Sequence, residues 1–170
     1  MRISVVEGIF SQFHSTFTAI GSNFITKAAV LLNASPLQFS LLSGIAQLCQ
    51  FFQLYAVAHN KDVMTRKKPC IQFAFWGRLL SLFLGACFAI AHPQLAFILF
   101  LCLLFASAAL QTISSNMWVA WMSDLIPKQI RGRFFSQRMQ IHMVFGFLIG
   151  YIFSFFIDVN ANNNIVIVIL

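Results

Sequence analysis

Long apolar runs separated by short polar breaks recur along the chain, and their lengths predict helices that cross a bilayer. A crossing helix needs about 20 mostly apolar residues. Five stretches meet that length, at residues 5–32, 37–57, 70–91, 94–121 and 139–157. After a polar turn at 158–164, residues 165–170 are again wholly apolar and read as the start of a sixth helix. Such a short run rises only about 9 Å against a hydrocarbon core about 30 Å thick, so the chain is expected to end in mid-element. The expected fold class is an all-α membrane protein with five complete transmembrane helices and a truncated sixth, forming a single partial domain over residues 1–170.

Polar positions inside the runs are periodic. In the first span Gln12, Thr16, Ala19, Asn23 and Thr26 recur three and four apart and share one face. Ser40, Ser43, Gln47 and Gln50 do the same in the second span, and Ser107, Gln111, Ser114 and Trp118 in the fourth. Lipid cannot satisfy a polar stripe, so it faces either a water-filled path or another helix to which it hydrogen-bonds. The third span has no stripe and is expected at the periphery, with Arg78 snorkelling to the nearby end. His14 and His142 read as hydrogen-bonding groups. Glu7 is the one acid near a span, which leaves little sign of proton coupling. Gly146 and Gly150 are small residues at helix-packing spacing.

Composition supports the bilayer. Hydrophobic residues make up 59% and charged residues 9% of the chain, whereas a soluble domain carries about 25% charged residues. The net charge of +7 would point to nucleic acid in a soluble protein. Here the basic residues sit in short breaks between apolar spans, which excludes that reading. One basic break, residues 58–69, holds His59, Lys61, Asp62, Arg66, Lys67 and Lys68; the other covers residues 121–138. The turns at 33–36, 92–93 and 158–164 hold no Lys or Arg, so the positive-inside rule places the N-terminus in the cytoplasm. Asp62 is expected to pair with Arg66 or to cap a helix N-terminus, and Asp124 to pair with Arg131 or with the first basic break. Pro127 is expected to end a helix or begin a short surface one. The first span is not a signal peptide, because Glu7 and recurring polar residues interrupt it. Cys49, Cys70, Cys87 and Cys102 form no close pair and read as small apolar residues. With no nucleophile–base pair and no metal-ligand spacing, neither an enzyme nor a cofactor is expected.

The residues of the second basic break, Trp121-Met-Ser-Asp-Leu-Ile-Pro-Lys-Gln-Ile-Arg-Gly-Arg-Phe-Phe, resemble the loop between the fourth and fifth helices of bacterial members of the major facilitator superfamily (MFS). There an Asp-Leu-x-Pro run leads into Arg-Gly-Arg. The first basic break resembles the family's Gly-x-x-x-Asp-Arg-x-Gly-Arg-Lys signature; Asp62, Arg66 and Lys67 match it, while Ala58, Val63 and Thr65 depart from it. The resemblance covers residues 7–158 and implies the N-terminal part of a twelve-helix fold built from two six-helix halves. It also implies a bacterial inner membrane, a cavity lined by spans 1, 2, 4 and 5, and a peripheral span 3. The expected function is that of a fragment of a secondary active transporter, moving a small solute by alternating access and inactive without its facing half. Gln12, Asn23, Gln47 and Gln111 are the candidates for the substrate cavity. Asp62, Arg66, Lys67, Asp124, Arg131 and Arg133 are those for a cytoplasmic gate. A cavity with few charges points to a neutral or weakly charged solute. The expected partners are the lipid bilayer, that solute and a C-terminal six-helix half. The alternative is a small non-transporting membrane protein that pairs with or regulates a partner membrane protein.

Overall fold

A computed structural model describes residues 2–59, 67–90 and 92–159, and every regular element among them is helical. The order is α1 (Arg2–Thr18), α2 (Asn23–Leu31), α3 (Pro36–His59), α4 (Lys67–Leu82), a 3-10 turn (Gly85–Ala89), α5 (Pro93–Leu125) and α6 (Lys128–Val159). Asp62, Arg66 and the apolar run 165–170 lie outside the described residues.

The helices differ from the expected spans in three places. Residues 5–32 are not one helix, because the chain breaks between α1 and α2. Gly21 takes φ +89° there, a conformation open to a residue without a Cβ. Ser22 then caps α2, its hydroxyl accepting from the Ile25 N–H at 3.3 Å. The third span also ends early: α4 stops at Leu82 and the chain continues as the 3-10 turn. The third difference is the largest. Residues 121–138 are mostly helix, since α5 runs to Leu125 and α6 begins at Lys128. The break narrows to Ile126–Pro127, where Pro127 offers its carbonyl to the Ile130 and Arg131 N–H groups. Pro127 therefore starts a long helix, a position where its missing N–H is no loss. The turn at 33–36 is as expected. Asn33 has φ +55°, and Ser35 and Gln38 cap α3 reciprocally, the Ser35 N–H donating to Gln38 Oε1 at 2.7 Å.

Two close seams, one main apolar core and a smaller apolar cluster of Cys70, Ile113 and Met117 hold the bundle together. In the first seam α1 and α6 run parallel, with Gly8, Gln12 and Thr16 facing His142, Gly146 and Gly150 in matching steps of four. A Cβ on Gly146 would lie 2.5 Å from Gln12 Nε2, so glycine is what lets these helices approach. Phe13 and Phe17 continue the seam by edge-to-face contacts with Phe153. In the second seam α4 and α5 run antiparallel. Ser107 Oγ donates to the Gly77 carbonyl at 2.8 Å and Ser114 Oγ to the Cys70 carbonyl at 2.9 Å. A Cβ on Gly77 would lie 2.9 Å from Gln111 Cγ. The core lies at the end of the bundle remote from the basic segments. There Ile25, Ala28 and Ala29 of α2, Leu42 of α3, Leu84 and Cys87 beside the 3-10 turn, and Phe97, Phe100 and Leu104 of α5 pack as one cluster.

Two helical stretches, Lys67–Ala89 and Gln94–Leu125, are long and apolar enough to cross a membrane among the described residues. Only 28% and 39% of their most apolar windows are buried within the protein. A core helix of a soluble protein would bury most of that surface. The outward faces elsewhere are also oily, with Phe10 71% and Phe147 72% exposed. A surface of this kind calls for lipid rather than water, and a membrane is the location it supports. The expected five spans reduce to these two on length and composition. α1 and α2 are each too short alone, α3 carries Gln38, Gln47, Gln50 and Gln53, and α6 spends its first turns on Lys128, Arg131 and Arg133.

Candidate functional site

The main apolar core closes one end of the bundle, while toward the other the α1–α6 and α4–α5 pairs stay packed within themselves. Between them lies a cavity of about 1050 Å³, walled by α1, α3, α4, α5 and α6 and open on one side. Charge is concentrated in it. Glu7 of α1 accepts from Arg138 Nη2 of α6 at 3.0 Å, and Arg78 Nη2 of α4 lies 3.8 Å from the other carboxylate oxygen. Arg78 donates to Ser11 Oγ at 3.2 Å. The Arg138 guanidinium stacks over the Trp118 ring with its carbon 3.6 Å from the centroid, a cation–π contact. Phe135 meets the same ring edge-on at 6.3 Å.

Polar side chains bridge the cavity where α1 faces α4. Ser81 Oγ donates to the Arg78 carbonyl at 2.7 Å, so its lone pair is free to accept from His14 Nε2, also at 2.7 Å. The other ring nitrogen, His14 Nδ1, lies 3.3 Å from Thr18 Oγ1, so both ring nitrogens face a hydroxyl. Two polar nitrogens near the cavity, Arg138 Nε and His142 Nε2, are buried with no hydrogen-bond partner among the described residues. Both atoms sit in the α1–α6 seam, where Gly8 leaves room for the His142 ring.

The expected site residues divide. Gln111 lines the large cavity and donates to Ser107 Oγ at 2.9 Å. Gln12 and Asn23 line a different, smaller cavity of about 460 Å³ around the α1–α2 break, together with Lys27. Gln47 is exposed and lines neither, whereas Gln50 and Gln53 of the same helix reach the large cavity and hydrogen-bond to each other. The polar stripe of α5 serves both purposes considered for it. Ser107 and Ser114 are buried helix–helix donors, and Gln111 and Trp118 face the cavity. Of the gate candidates, Lys67, Asp124 and Arg133 are exposed at helix ends. Arg131 caps α5 by donating to the Ile126 carbonyl at 3.3 Å. Asp62 and Arg66 lie outside the described residues.

Two expectations are corrected. Arg78 does not snorkel away from the bundle; it turns to Ser11 and Glu7, which offer an oxygen and a countercharge. The third span is correspondingly not a purely lipid-facing helix, because α4 brings Cys70, Ala74 and Arg78 to the cavity wall. A sequence signal for this existed. Glu7, Ser11, His14 and Thr18 form a second polar stripe on α1 at steps of four, three and four. Gln12 and Thr16, on the neighbouring face, belong to the α6 seam instead.

All four cysteines are free thiols, three buried and Cys102 exposed. No cluster of metal-binding side chains occurs among the described residues. No family model matches this chain, and neither a curated protein nor a solved structure matches it.

Proposed function

We propose that this chain forms one wall of a solute path in a secondary transporter of the major facilitator type. The observation that carries the reading is the large cavity with an ion-paired centre, Glu7 between Arg78 and Arg138, in an all-helical body whose outer faces are apolar. Charges inside a membrane protein are expensive and are retained where they line a path or a binding site. The closed apolar end and the open charged end match one side of an alternating-access cycle.

In this reading the membrane is crossed five times: by α1 and α2 as one interrupted span, by α3, by α4 with the 3-10 turn, by α5 and by α6. The basic segments face the cytoplasm, and the cavity opens toward them, in a bacterial inner membrane. The open side of the cavity calls for a second helical body as its facing wall, and the gate candidates near 124–133 fall in sequence between Trp121 and Phe135, which line the cavity.

The test is flux. Purified chain in proteoliposomes is expected to move no solute, and a co-assembled six-helix partner is expected to confer uptake. Solute flux by the lone chain overturns the need for a facing wall. A partner that binds without conferring flux supports the alternative, a non-transporting membrane protein that pairs with another.

A further inference from the structure

The large cavity holds more positive than negative charge. Among its described lining residues Arg78 and Arg138 face a single carboxylate, Glu7, and the remaining polar groups are His14, His142 and neutral amides and hydroxyls. The imbalance sits in an open slot beside apolar walls, where Arg78 is 44% exposed and accessible to a ligand entering from solvent. Arg78 is also underused. Among the described residues it makes one side-chain hydrogen bond, to Ser11, and its 3.8 Å approach to Glu7 is longer than a hydrogen bond. Its guanidinium has five N–H donors in a fork that fits a planar or tetrahedral oxyanion. Arg138 spends one arm on Glu7 and its face on Trp118, while its Nε, turned into the α1–α6 seam, has no partner among the described residues. Trp118, Phe135 and Phe75 supply aromatic wall beside these groups.

We propose that this cavity binds a small organic anion, its oxyanion received by Arg78 and Arg138 and its carbon body by Trp118, Phe135 and Phe75. Glu7 is the internal counter-ion that holds the guanidinium groups in place while the site is empty and competes with the ligand for them. A neutral solute leaves the excess charge uncompensated; an anion neutralises it and gains charge-assisted hydrogen bonds. This replaces the neutral or weakly charged solute expected from the sparse charges of the sequence. A carboxylate and a phosphate share this chemistry, and the experiment separates them.

The inference rests on the transporter reading for its purpose, but its readout needs no second half. Purified chain in phosphatidylcholine nanodiscs is equilibrated with labelled benzoate, phenyl phosphate or neutral benzamide, and bound ligand is measured by equilibrium dialysis. At least one anion is expected to bind saturably and about tenfold more tightly than benzamide. Which anion binds assigns the carboxylate or phosphate class. Arg78→Gln is expected to weaken that anion about tenfold, and Arg78→Lys to restore part of the loss. Glu7→Gln, which removes the competitor, is expected to tighten it, a gain that loss of structure does not produce. Circular dichroism checks that each variant is folded. The inference is overturned if benzamide binds as well as both anions, if neither anion saturates below about 10 mM, or if Glu7→Gln and Arg78→Gln shift affinity in the same direction. Absent anion binding alongside flux in the paired assembly sinks this inference alone. Anion binding without flux in that assembly sinks the transporter reading alone.

Discussion

The two ends of the bundle are held under different rules. At the far end α2, α3 and α5 meet through Ala28, Ala29, Leu42, Ala96, Phe97 and Phe100, with Phe97 and Phe100 each 1% exposed. Small residues let the backbones close and aromatic rings fill what is left, so dispersion contacts dominate. Toward the basic end α4 and α5 still share a small apolar cluster, but α1 meets α4 through polar contacts: the hydrogen bonds His14–Ser81 and Arg78–Ser11 and the ion pair Arg78–Glu7. A dry end is a fixed joint. A polar, open end can exchange its partners for water or ligand at little net cost. The contrast teaches where motion and binding belong in this molecule.

Breaking the joint should have the largest effect. Phe97→Ala leaves a void at the centre of the far-end core and is expected to lower stability by about 3–5 kcal/mol, read from thermal or denaturant unfolding in detergent. Ser115→Ala on the open cavity wall should change it by less than about 0.5 kcal/mol, and equal losses at the two sites would erase the contrast. Next comes the α4–α5 seam. Gly77→Leu forces a side chain into Gln111 and toward the Ser107 carbonyl, and should destabilise by about 1–3 kcal/mol. A smaller Gly77→Ala penalty in the same unfolding assay would confirm that volume is the cause.

The ion pair sharpens the view from the other end. A double-mutant cycle of Glu7→Gln and Arg138→Gln should give a coupling of about 1 kcal/mol, because Glu7 is 43% exposed within the protein. Zero coupling would mean that the pair holds no structure at the open end. The smallest effect is expected at a seam hydrogen bond. Ser114→Ala removes the donor to the Cys70 carbonyl and should cost about 0.6 kcal/mol, measured by the same unfolding curves.

Much of the fold was legible from period and length alone. Helical content, the turn at 33–36 and the α5 stripe all follow from the spacing of apolar and polar residues. The α1–α2 break was missed although Gly21-Ser22-Asn23 marks it, because apolar residues continue on both sides. At Pro127 the sequence allowed at most a short surface helix, because the basic residues after it read as loop; the helix that begins at Lys128 runs on to Val159. Of the cavity, Gln111 was legible and Arg78 was misdirected. A lone arginine looks destined for the nearest water until Ser11 and Glu7 are seen across from it.

The sequence by itself determined that this is a helical chain with outward apolar faces, since both follow from local periodicity and from too few charges to cover a wet surface. It also marked where the basic segments fall. Only the tertiary structure decided which polar residues become glue and which become cavity. Gln12 and Glu7 are both polar residues of α1, yet one packs on Gly146 and the other binds Arg138. The reason is physical: a stripe records that a face is polar, while its role depends on how closely the partner helix approaches. Glycine at Gly8, Gly77 and Gly146 sets that distance from the opposite side.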